Sequence, residues 1–106
     1  MTADRNTKKF IIDSIKMDLF RVITASGDIT KEPAIESIKT FLNHATNDFN
    51  KTNLDEREES IKKDLEALAT KTEQLSDPHK RLRWTENIMT LRCRLWVVFP
   101  TTTGAV

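Results

Sequence analysis

Residues Asp77 to Pro100, DPHKRLRWTENIMTLRCRLWVVFP, decide how the rest of the chain has to fold. Asp77 can accept a backbone N–H as an N-cap, and Pro78 takes the first helical position, where its missing N–H costs nothing. Pro100 cannot continue a helix. These signals predict one helix over 78–99. At about 100° per residue, Trp84, Ile88, Leu91, Leu95 and Val98 share one face, in the alternating steps of a packing seam. Leu82, Met89, Cys93 and Trp96 share the opposite face. Arg81, Thr85 and Arg92 line one flank between them, and Arg83, Asn87, Thr90 and Arg94 line the other. A helix with two apolar faces has to be covered twice, so this one is expected at the centre of the fold.

Working outward, three further amphipathic stretches supply the cover. From Lys8 to Ser26, the residues Ile12, Ile15, Leu19 and Val22 keep helical spacing, widened by Phe10, Ile11, Phe20 and Ile23. Gly27 is placed to end that helix in the left-handed conformation. A second helix, over 30–50, is capped by Asp28 or Thr30 with Pro33 in its first turn. Its stripe is Ala34, Ile38, Phe41, Ala45 and Phe49, with Ile35 and Leu42 beside it. A third, over 54–75, opens with a capping-box pair, Asn53 and Glu56, and carries a thin seam of Ile61, Leu65, Leu68 and Leu75. Glu58–Lys62 and Glu59–Lys63 are oriented as supporting pairs one turn apart. Residues 1–7 show no periodicity and read as a disordered N-terminus, and 100–106 as a polar tail. The expected fold is therefore all-α: one domain over 8–99, an up-down four-helix bundle with short loops, the C-terminal helix central and the third outermost.

Composition agrees and narrows the function classes. A chain of 106 residues can build a core without disulfide or metal staples. Two glycines and three prolines are too few for an all-β design. The net charge of +1 recruits neither nucleic acid nor membrane in bulk, although residues 53–77 carry eight acidic and four basic side chains and residues 78–106 five basic and one acidic. Opposite charge on neighbouring antiparallel helices favours their pairing. The longest apolar run, Leu95 to Phe99, is too short to span a membrane, and no apolar run follows Met1, so a cytoplasmic protein is expected.

No motif names a chemistry. Cys93, the sole cysteine, reads as a small buried hydrophobe. His44 precedes Asp48 by one helical turn, a spacing at which two side chains can share a metal, but two ligands do not make a site. Neither a catalytic set nor a metal or other cofactor is expected. The seam of Leu82, Met89, Cys93 and Trp96 instead points to a non-enzymatic protein–protein interaction module, an adaptor or regulator that pairs with a second copy of itself as a homodimer. The alternative is a small nucleic-acid-binding regulator using Lys80, Arg81, Arg83, Arg92 and Arg94.

Overall fold

The side chains that repeat with helical period along the chain close on one another as its core. The computed structural model describes the backbone of residues 3–99 and the side chains of residues 8–99. Among the described residues there are four α-helices, α1 Ala3–Gly27, α2 Ile35–Phe49, α3 Glu56–Ala69 and α4 Pro78–Val98, with a 3-10 turn at Thr72–Ser76. Ile12, Ile15, Leu19 and Val22 of α1 are fully buried against Ile38, Leu42, Ala45 and Phe49 of α2, Ile61 and Leu65 of α3, and Trp84, Ile88, Leu91 and Leu95 of α4. Burying each large side chain is worth about 1.5–3 kcal/mol, which is what makes the helices cohere.

The helices form an all-α, four-helix bundle. α1 packs on α2 and α4, and α3 packs on α2 and α4. Cross-helix bonds give the directions. Asp18 of α1 meets His44 of α2 while Ser14, one turn earlier, meets Asp48, one turn later; Trp84 near the start of α4 meets Leu68 near the end of α3 while Arg94, later in α4, meets Asp64, earlier in α3; and Arg81 at the start of α4 reaches Ser26 at the end of α1. Neighbours are thus antiparallel. α4 lies between α1 and α3, but its outer face is open: Leu82, Met89 and Trp96 are 44%, 47% and 38% exposed. Among the described residues, nothing supplies the second cover that its two apolar faces call for.

Local signals compete, and several are settled differently from the sequence reading. Asp77 caps α4, accepting from the N–H groups of His79 and Lys80, and Pro78 sits in the first turn as expected. The capping box of α3 is formed by Asp55 and Glu58, not by Asn53 and Glu56. Glu58 is buried and takes a 2.9 Å ion pair from Lys8, while Lys62 turns to Glu59, so the pairs expected one turn apart give way. α2 begins at Ile35 after Ala34 with no side-chain cap, because Asp28 turns to the N–H and hydroxyl of Thr30. α3 ends at Ala69, and the 3-10 turn carries Leu75 into the core instead of a continued helix. α1 begins at Ala3, ahead of the expected Lys8. Phe10 and Phe20, read as part of the α1 core stripe, are 78% and 49% exposed. Pro100, the tail 100–106 and the first two residues lie outside the described residues.

Helix C-termini are finished from a distance. Among the described residues no glycine has positive φ, so Gly27 does not supply a left-handed end. No α-helix has a basic residue in its own last turn. Neighbouring helices donate instead. Arg81 gives Nε to the Ser26 carbonyl at 2.7 Å, Nη2 to that of Asp28 at 2.7 Å and Nη1 to that of Lys31 at 2.8 Å. Trp84 gives its indole N–H to the Leu68 carbonyl at the end of α3, at 3.0 Å. Lys16 gives its ammonium to the Phe99 carbonyl at the end of α4, at 2.7 Å.

Arg81 is only 4% exposed, so its removal strands the buried Ser26 carbonyl and frees those of Asp28 and Lys31. Arg81→Ala is expected to lower unfolding free energy by about 2–4 kcal/mol in urea titrations. Arg81→Lys recovers less than half, because one ammonium cannot reproduce the planar fork. A change below about 0.5 kcal/mol for either variant would contradict the role given to the guanidinium.

Candidate functional site

The outer face of the α1–α4 pair is the first place where the fold leaves apolar surface unused. Met17 and Phe20 of α1 are about half exposed, on the same side of the bundle as Trp96 of α4. The link between them is Arg92, whose guanidinium lies 5.4 Å from the Phe20 ring and 6.0 Å from the Trp96 ring. Lys16 sits deeper, 3.9 Å from the Trp96 ring, and burial pushes its ammonium below the ordinary lysine value. Trp96 is thereby held toward α1. Cys93 leans the other way, into a groove of about 600 Å³ between α3 and α4 lined by Ile61, Val97 and Val98. It is exposed, which corrects the reading of a buried hydrophobe. The four seam residues therefore form one open strip that fans out at its C-terminal end. Sequence reasoning found the α4 half of this surface and assigned Phe20 of the α1 half to the core.

The basic residues of α4 are used mostly inside the molecule. Arg81, a candidate nucleic-acid contact from sequence, is buried with its donors on three backbone carbonyls. Arg92 donates from Nε to the Lys16 carbonyl at 3.1 Å, and Arg94 pairs with Asp64 at 2.7 Å and reaches Ser60. The opposite charges of α3 and α4 meet in that Arg94–Asp64 pair. Lys80 and Arg83 remain exposed on α4.

A second cluster lies on the α1–α2 seam, and only half of it was visible in the sequence. His44 and Asp48 share one face of α2, as their spacing requires; the fold adds Asp18 from α1. His44 Nδ1 stands 2.5 Å from Asp18 Oδ2 and 3.5 Å from Asp48 Oδ2. Both aspartates are nearly buried, whereas the His44 side chain is 54% exposed. The far oxygens are engaged as well, Arg21 donating to Asp18 Oδ1 at 3.1 Å and Lys51 to Asp48 Oδ1 at 3.0 Å, while Ser14 donates to Asp48 Oδ2, the oxygen that faces His44. The Asp18 hydrogen bond, reinforced by the charges of Asp18 and Asp48, holds the His44 imidazolium above the ordinary histidine range. Asp18 lies 26 residues from His44, and nothing in its local spacing marks it out.

No protein-family model matches the chain, and no curated protein or solved structure is significantly similar to it. Among the described residues, no helix is long and apolar enough to cross a membrane.

The raised His44 value has a definite sign. A histidine that gains partners on folding stabilises the native state fully below its unfolded pKa of about 6.5, and that contribution fades as pH rises through the higher folded value. The stability gap between wild type and His44→Gln, from urea midpoints, is therefore expected to be widest near pH ~6 and to shrink by pH ~8.5. A gap that stays flat or widens over that interval would contradict the arrangement.

Proposed function

We propose that this chain is a non-enzymatic helical interaction module of the cytoplasm, an adaptor or regulator that works as a homodimer through the open face of α4. The observation that supports this is the exposure of Leu82, Met89 and Trp96 at seven-residue intervals on a helix whose other face is fully packed. That spacing is symmetric about Met89. An antiparallel two-fold axis through Met89 sets Leu82 against Trp96 of the second copy. Apolar then meets apolar along the seam, which a C2 interface requires of its single patch.

Magnitudes bound the strength. Full burial of a large apolar side chain is worth about 1.5–3 kcal/mol, but these residues are already about half covered, so six of them give roughly 5–9 kcal/mol. Association costs an estimated 4–15 kcal/mol, so α4 alone makes a weak pair. Met17 and Phe20 on the adjoining face of α1 supply the additional area. The nucleic-acid alternative is weaker, since Arg81, Arg92 and Arg94 already serve internal partners.

Light scattering on size exclusion is expected to give twice the chain mass at high protein concentration, and a well-folded monomer for Met89→Lys. A wild type that stays monomeric at ~1 mM, a concentration at which even weak pairs associate, would overturn the proposal.

A further inference from the structure

Two carboxylates and an imidazole converge on the α1–α2 seam, away from the α4 surface. From this we propose that Asp18, His44 and Asp48 bind one divalent transition-metal ion of the zinc class, with one donor atom from each residue. Their donor atoms lie within 4.8 Å of one another. Zinc binds nitrogen and carboxylate oxygen at about 2.0–2.2 Å, which spaces tetrahedral ligands about 3.3–3.6 Å apart. The His44–Asp48 edge, 3.5 Å, already has that length. The His44–Asp18 edge, 2.5 Å, is that of a shared hydrogen and opens by about 1 Å when an ion takes the hydrogen's place. His44 can make that movement because its side chain is half exposed.

What separates this cluster from an ordinary ion-pair patch is how each carboxylate is divided. Asp18 and Asp48 both turn Oδ2 toward the imidazole, and both give Oδ1 to a cation, Arg21 and Lys51 respectively. Outer partners that hold the far oxygen fix a ligating carboxylate in a one-oxygen mode, as in established metal sites. The ring side of His44 opens to solvent, which gives the ion an entry path and leaves its fourth position to water. On binding, Nδ1 releases its hydrogen to solvent and its lone pair goes to the metal, while Nε2 keeps its own hydrogen. The donor set also selects among ions. Calcium requires six to eight oxygens and magnesium a near-ideal octahedron of oxygens, whereas an imidazole with two one-oxygen carboxylates suits zinc or cobalt.

The test uses the full chain after chelator treatment, titrated with zinc chloride by calorimetry and followed by thermal unfolding. One zinc ion per chain is expected. The unfolding midpoint is expected to rise by roughly 5–10 °C when free zinc is about tenfold above its dissociation constant. Calcium and magnesium at the same concentration are expected to leave it unmoved. His44→Gln, or His44→Ala if the first variant does not fold, is expected to bind zinc at least tenfold more weakly, while His79→Ala and Cys93→Ser bind as wild type does. In the wild type, the His44 ring nitrogen resonances shift with zinc and those of His79 do not. Absence of saturable binding below ~1 mM zinc would overturn the site, as would unchanged affinity in the His44 variants or loss confined to the His79 or Cys93 variants.

Discussion

An α-helix leaves its last four carbonyls without internal partners, and this chain meets that constraint with side chains from other helices. Arg81 is the strongest case. Its three donors close the end of α1 and hold two further carbonyls in the segment that leads to α2, so the start of α4, the end of α1 and the approach to α2 are fixed by one guanidinium. Trp84 does the same for α3 while filling the core with the rest of its ring, and Lys16 does it for α4. Each bond links secondary structure to tertiary structure, because a helix end is completed only when its neighbour is in place. A hydroxyl contact between Ser26 and Thr85, 2.8 Å and buried, adds to the Arg81 junction.

The same economy of donors shapes the surface. With Arg81 buried and Arg92 and Arg94 paired to neighbouring helices, α4 presents an outer apolar face of Leu82, Met89 and Trp96, which is exposed among the described residues. On the far side of α1, Asp18 and Asp48 are withdrawn from water but balanced by Arg21, Lys51 and Ser14, so the seam tolerates buried carboxylates without an orphaned polar atom. The apolar strip and the His44 cluster thus sit on different edges of α1. Substitutions at one are not expected to perturb the other directly, since sites without shared partners behave additively.

The inner seams were legible from periodicity because burial depends on face, and face follows from spacing. Trp84, Ile88, Leu91 and Leu95 could be placed without coordinates, as could Ile12, Ile15, Leu19 and Val22. Caps were less legible. Asn53 and Asp55 are both plausible N-caps, and the choice fell to the one whose partner, Glu58, also receives Lys8 from 50 residues away. Arg81 looked like a flank residue because its carbonyl partners belong to a distant turn. Asp18 was invisible as a site residue for the same reason: helical spacing relates residues on one helix, and a cluster shared between two helices follows only from their register. The outer seam was read correctly as apolar, yet periodicity alone could not say whether the chain would cover it.

The two tryptophans of α4, Trp84 and Trp96, occupy opposite circumstances. Trp84 is fully buried with its N–H on a carbonyl, while Trp96 is partly in solvent beneath an ammonium 3.9 Å from its ring. In fluorescence terms the molecule carries two native reporters on one helix. Trp84 emits from an apolar, rigid setting that persists as long as the bundle does. Trp96 emits from a hydrated, cation-shadowed one that changes when something settles on the outer face. Spectral shifts that come from covering the surface can therefore be told from those that come from melting the core, without attaching a dye.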